Sequence, residues 1–245
     1  MSLENLLYSI GLAMEKVFIK IKEFLLPKPT ENPESFRFLR KLVKRNITYH
    51  ELVSLRLQLI FIIYLISLLL ITMLLKDPLT LLLTFVIEFL YIRYTIIRNW
   101  NLIIGPRAYR FFYYGISTIT FVAFLGYVLI RKVATELIYY LTYISSIFVI
   151  VVVFRYYFKH KFGRDYTYGI IEEVKEDLVR VFVHDDIAAN VKPGYYWVPK
   201  VSEAKEGDIV KLLVENRTFR SSIPVRILEV SQSSQTSTEP KEESE

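Results

Sequence analysis

The chain contains no cysteine, which excludes disulfides, thiolate metal sites, haem attachment through sulfur and a cysteine nucleophile. Acidic residues are absent over the 21 positions from Leu55 to Leu75. Within the apolar stretches there are no paired acids, no histidine cluster and no nucleophile motif, so no catalytic, cofactor or metal site is expected and an enzyme is not. The start, Met1 to Leu26, lacks the unbroken apolar core of a secretory signal, because Glu4, Glu15, Lys16, Lys20, Lys22 and Glu23 interrupt it.

Apolar residues are what the sequence has in excess. They make up 53% of 245 residues, with a mean hydropathy of +0.32, high for a soluble domain. A helix of 21 residues covers about 30 Å, the thickness of the hydrocarbon layer. Leu55–Leu75 is one such span, stopped by Lys76-Asp77-Pro78, since proline cannot continue a helix but suits the first turn of the next. Residues 79–97, 111–130 and 137–158 supply three more. The run Ile147 to Phe154 is rich in β-branched residues, yet the length and neighbours of its segment favour a helix. The expectation is four transmembrane helices in two hairpins.

The net charge of +6 is unevenly spread. Residues 1–164 hold 21 Lys/Arg against 9 Asp/Glu, residues 165–230 hold 9 against 12, and the polar tail 231–245 holds 1 against 4. A basic membrane part and an acidic remainder speak against nucleic-acid binding and for topology. Near the span ends, Arg37, Arg40, Lys41, Lys44, Arg45, Arg98, Arg107, Arg110, Arg155, Lys159, Lys161 and Arg164 fall on one side, while Lys76, Arg131 and Lys132 fall on the other. Twelve against three places both termini in the cytoplasm of a multi-pass cell-membrane protein. Clustered rings from Trp100 to Tyr114 and from Phe154 to Phe158 suit an interfacial aromatic belt.

Glu88 is the one acid deep in a span, where an ionised carboxylate costs at least about 2.5 kcal/mol. A hairpin turning about Asp77 sets position 88 opposite 66 and brings Ser67 into reach, with Tyr91 beside Tyr64 and Arg98 near Arg56 and Gln58. Arg93 lies about 140° round the helix from Glu88, so it is free to snorkel to the inner interface. Glu88 is then either an ion- or proton-relay carboxylate, or an acid hydrogen-bonded to Ser67, a tyrosine or another chain. A lone acid favours the second.

Before the spans, Leu3, Leu6, Leu7, Ile10, Met14, Val17, Phe18, Ile21 and Leu25 form one stripe of an amphipathic helix over 1–26, ended by Pro27 and Pro29. It suits either the membrane interface or a partner helix. Residues 27–54 read as a linker and a basic juxtamembrane helix. After Arg164 the period becomes two, and residues 168–174, 178–183, 195–198, 208–214 and 223–230 read as five short strands of an OB- or SH3-like barrel over 165–230. Tyr195, Tyr196 and Trp197 form its candidate partner-binding surface. His184-Asp185-Asp186 reads as a strand-end turn, because successive side chains of a strand alternate and do not converge on one ion. Residues 231–245 read as a disordered tail.

Leu25-Leu26-Pro27-Lys28-Pro29, the four spans, Asp186-Ile187-Ala188-Ala189-Asn190-Val191-Lys192-Pro193-Gly194-Tyr195-Tyr196-Trp197 and Glu206-Gly207-Asp208-Ile209-Val210-Lys211-Leu212 together resemble a family of uncharacterised archaeal membrane proteins with a domain of unknown function. The resemblance covers residues 1–230 and implies an archaeal cell membrane. In layout alone, and over Glu206 to Val230, the chain is similar to NfeD-type membrane proteins, which implies a scaffold for partner proteins, although the glycine-rich signature of that family is missing. The functional expectation is a non-enzymatic scaffold or accessory subunit contacting the lipid bilayer and a protein partner or a second copy. The alternative is a channel or transporter using Glu88.

Overall fold

The computed structural model describes residues 3–30, 48–202, 204–217 and 220–231. The expected basic helix over 35–46 and the tail beyond Ser231 lie outside these residues, as do the side chains of Leu3, Leu6 and Leu7. The chain divides into two compact units, residues 1–161 and 162–245.

The first unit holds five long helices: α1 (Leu3–Leu25), α2 (Tyr49–Leu74), α3 (Pro78–Arg98), α4 (Pro106–Ile130) and α5 (Leu137–Phe162). The last four are 21 to 26 residues long and apolar enough to cross a membrane, a length of about 32 to 39 Å. Two of them begin earlier than the hydropathy alone indicates. Residues 49–54 belong to α2 and not to a linker, because Thr48 and Glu51 form a capping box in which the Thr48 N–H and hydroxyl both donate to the Glu51 carboxylate, at 3.2 and 3.4 Å. Pro106 opens α4 five residues before its apolar stretch, after a short 3-10 turn at Trp100–Leu102.

The α2–α3 corner is closed by two local devices. The N–H groups of Leu75 and Lys76 both donate to the Ile71 carbonyl at 2.9 Å, which requires Lys76 to take the left-handed conformation, φ 56°. A side chain there costs about 1–2 kcal/mol relative to glycine. Asp77 then caps α3, accepting from the Thr80 hydroxyl at 2.5 Å, the Thr80 N–H at 2.9 Å and the Leu79 N–H at 3.3 Å. The Thr80 bonds, with the nearby Lys132 charge, hold the Asp77 carboxyl below its usual range. The charged cap is therefore present at neutral pH and is lost only as the pH falls through that lowered value.

Helices α2, α3 and α4 form the packed core, in which Tyr64, Leu68, Leu81 and Val128 are buried among Phe61, Ile71, Phe85, Phe121 and Phe124. Among the described residues, helix α1 is joined to it at its C-terminal end, through the Phe24–Tyr94 ring pair and the Arg93 Nη1 donation to the Leu25 carbonyl. Its apolar residues Ile10, Met14, Val17, Phe18 and Ile21 are exposed, so the stripe is uncovered by the described residues of this chain.

Helix α5 attaches to α4 by aromatic knobs. The Phe154 ring lies against Gly115 and the Tyr143 ring against Gly126, where a β-carbon would collide with either ring. Both pairs are 11 residues apart on their helices, close to three full turns, so each set shares a face and the helices run antiparallel in one register. Phe111 and Phe158 extend the same seam, with ring centroids 6.4 Å apart. The Tyr143 hydroxyl also donates to the Ala123 carbonyl.

The second unit is a five-stranded antiparallel sheet: β1 (Tyr166–Val174), β2 (Leu178–Val183), β3 (Gly194–Pro199), β4 (Ile209–Glu215) and β5 (Ile223–Ser231), in the order β3-β2-β1-β4-β5. A three-strand meander thus carries a second hairpin against its first strand. Bulges in β1 and β4–β5 curl the sheet around Ile171, Val181, Val198, Val210 and Leu212. It is a half-barrel, in which β3 and β5 remain outer strands and are not joined by a ladder among the described residues. Arg164 belongs with this unit and not with the span before it, because it pairs with Asp186 at 3.1 Å. The Asp186 oxygens also accept from the Thr167 hydroxyl and from the N–H groups of Ala188 and Ala189, so this buried carboxylate fixes the turn that follows β2.

If the glycine seam holds α5, Gly115→Leu and Gly126→Leu overpack it at about 1–3 kcal/mol each. A cysteine pair at Ile119 and Ile150, one turn further along the same register, reports this in a chain with no native cysteine: disulfide yield is expected to fall in either leucine variant.

Candidate functional site

Each helix of the packed core contributes one polar residue at mid-depth. Tyr64 comes from α2, Glu88 from α3 and Ser117 from α4, and all three are buried. The Ser117 hydroxyl donates to Glu88 Oε1 at 2.8 Å, and the Tyr64 hydroxyl donates to the Ser117 carbonyl at 3.3 Å. Glu88 is 6% exposed, and its second oxygen is buried without a hydrogen-bond partner among the described residues. No cation pairs with Glu88 among those residues.

Ser67 is not the partner of Glu88. Its hydroxyl donates to the Ile63 carbonyl of its own helix at 2.8 Å. Hairpin arithmetic considers α2 and α3 alone, whereas α4 packs against both and supplies the nearer hydroxyl. The Tyr91 hydroxyl accepts from Arg56 Nη2 at 2.9 Å, and Arg98 donates to Tyr94 one turn back at 2.6 Å. Arg93 stays away from Glu88, at 2.6 Å from the last α1 carbonyl, where a cation suits the helix C-terminus.

A second buried group closes the same end of the bundle. Ile104 N–H donates to His50 Nδ1 at 3.1 Å, and the Tyr109 hydroxyl lies 3.4 Å from His50 Nε2. An Nδ1 that accepts a backbone proton leaves the ring hydrogen on Nε2, directed at Tyr109. Sequence reasoning missed Ser117, His50 and Tyr109. The available signals were a serine amid apolar residues in the third span, and a histidine just inside the Thr48–Glu51 capping box.

On the β unit, strand alternation divides the three candidate aromatics. Tyr195 and Trp197 are on the outer face, 45% and 43% exposed. Tyr196 points the other way and packs against the core; its hydroxyl donates to the Lys192 carbonyl at 2.9 Å, and burial raises its pKa. It does not belong to the surface expected of it. Across the ladder, Arg180 pairs with Trp197 and Phe182 with Tyr195. The Arg180 guanidinium lies 5.2 Å from the Tyr195 ring and 5.9 Å from the Trp197 ring, while Lys175 Nζ is 4.5 Å from Trp197. Glu173 is 3.0 Å from Arg180 and 3.7 Å from Lys175. The outcome is a rigid stripe of exposed rings and shared charge on an outer strand, the kind of surface enriched in protein interfaces.

Residues 21–228 match the family described as "Predicted membrane protein (DUF2101)", and the chain belongs to that family. No curated protein and no solved structure matches it. Membership together with the four long apolar helices makes this an integral membrane protein in contact with the lipid bilayer.

The Glu88 contact can be tested as a packing element. Ser117→Ala strands a buried carboxyl oxygen and is expected to destabilise the detergent-purified protein by about 1–3 kcal/mol. Glu88→Gln retains an acceptor for Ser117 and is expected to cost less. Thermal unfolding of the two variants ranks them.

Proposed function

We propose that this protein is a non-enzymatic membrane scaffold or accessory subunit that presents its C-terminal β domain to a protein partner on the cytoplasmic side. The observation that carries the reading is the ring stripe of Tyr195 and Trp197, exposed on an outer strand and braced by Arg180 and Lys175. An outer strand offers unpaired backbone groups, and exposed aromatics supply the desolvated anchors from which interfaces draw most of their affinity. The exposed α1 stripe gives a second surface, for the membrane interface or a partner helix. The twelve-to-three division of Lys and Arg supports a cell-membrane protein with both termini inside.

The alternative, an ion channel or transporter, needs Glu88 to meet a pathway. Its 6% exposure and its bond to Ser117 favour a packing role. Two measurements separate the readings. Cross-linking in native membranes should join the wild-type β domain to a stoichiometric partner, and Tyr195→Ser with Trp197→Ser should abolish the product while the domain melts as before. Repeated failure to obtain any such product overturns the scaffold. Reconstituted protein should show no flux that Glu88→Gln removes; such a flux would establish the channel.

A further inference from the structure

At the end of the bundle opposite Thr48 and Phe162, helices α2, α4 and α5 do not close on one another. They leave an open-sided groove of about 660 Å³, joined by a smaller one of about 200 Å³ that shares Thr72, Lys76, Tyr127 and Arg131 with it. The floor is apolar, formed by Leu69, Met73, Phe124, Ile144 and Ile147. Lys76, Arg131 and Lys132 stand at its mouth. Lys76 follows Leu69 by seven residues, just past the end of α2, so the apolar floor reaches roughly 10 Å below the charged rim. That is the profile of a lipid, a charged head above a hydrocarbon chain.

Two further observations bear on what the groove would hold. Thr72 lines both cavities and is 4% exposed, and its buried hydroxyl oxygen has no hydrogen-bond partner among the described residues. Other hydroxyls of the spans return their proton to the carbonyl four residues back, as Ser67, Thr84, Thr95, Thr118, Thr142 and Ser146 do at 2.8–2.9 Å. Second, Lys76, Arg131 and Lys132 are the whole basic complement of the two connections at this end, and all three converge on the same groove. Of the two acids in these connections, Asp77 caps α3 and feels the Lys132 charge and Glu136 follows Lys132 by four residues, yet no ion pair holds any of the three cations among the described residues. Lys76 occupies a left-handed position where glycine would be unstrained, so a cation is kept there against the preference of the backbone.

We propose that this groove binds an anionic phospholipid, with its phosphate between Lys76 and Arg131, its linkage oxygens near Thr72, and one chain along Leu69, Phe124 and Ile147. Basic recesses between transmembrane helices recognise lipid head groups in this way. A zwitterionic head group brings its own cation to the same rim and is disfavoured.

The test uses the full chain in detergent, titrated separately with phosphatidylglycerol and with phosphatidylcholine of identical chains, and reads retained lipid by native mass spectrometry. One phosphatidylglycerol should be retained and phosphatidylcholine should not. Lys76→Gly with Arg131→Gln should lower retention by roughly tenfold or more. Lys76→Gly relieves the strained backbone, so it remains folded and carries the test alone should Arg131→Gln fail to fold; Thr72→Val should weaken retention with little change in shape. Equal retention of the two lipids, or unchanged retention in the Lys76 variant, overturns the proposal. So does displacement of the lipid by inorganic phosphate at equal concentration, which would make this a phosphate site without a lipid.

Discussion

Hydrocarbon neither donates nor accepts a hydrogen bond, and the membrane unit is organised by that constraint. Backbone groups are satisfied within helices. The polar side chains of the spans must then find partners inside the protein, at a cost of a few kcal/mol for each failure. Most hydroxyls solve this locally, on the carbonyl one turn back. Glu88 does not, because a carboxylate needs a donor and Thr84, one turn back on its own helix, gives its hydroxyl proton to the Thr80 carbonyl. Its partner Ser117 comes from α4, and the Tyr64 hydroxyl reaches the Ser117 carbonyl from α2. One expensive residue therefore gives three helices a shared polar contact, which adds to the apolar core in setting their mutual depth and rotation.

The fourth span answers to a different rule. In lipid there is no hydrophobic drive between helices, so association rests on packing. On α4 two glycines open holes, and the α5 groups that fill them are rings: Phe154 over Gly115 and Tyr143 over Gly126. Large knobs in small holes hold α5 along one line and leave the rest of its surface outward, from Ile138 to Tyr156. The same line of attachment explains the open groove. A helix seated on α4 by aromatic spacers stands off from the end of α2, and Thr72 is among the residues that line the gap.

Much of this organisation was legible in the residues. Four spans, the Lys76-Asp77-Pro78 corner, the period-two strands and the isolation of Glu88 all follow from local chemistry, because proline, capping groups and hydrophobic period act within a few residues. What was not legible depends on a third element. Ser67 and Ser117 are equally plausible partners in a linear reading, and only the packing of α4 on both α2 and α3 chooses between them. The partition of Tyr195 and Trp197 from Tyr196 was available from strand alternation. The bracing of the exposed rings by Arg180 and Lys175 was not, since it needs the β2–β3 register. The half-barrel is likewise a product of bulges in β1 and β4–β5 that the alternation does not announce.

The distribution of charge joins these parts. Basic residues resist translocation, so under the proposed topology the far end of the bundle has reason to be free of them. It nevertheless keeps three, spends a left-handed backbone position on one of them, and leaves a buried threonine unpaired beside them. Topology explains why the far end carries few cations. It does not explain why those few meet in one place, above an apolar channel about two helical turns deep. A ligand that is both anionic and hydrocarbon accounts for the convergence, the strain and the orphaned hydroxyl with a single requirement.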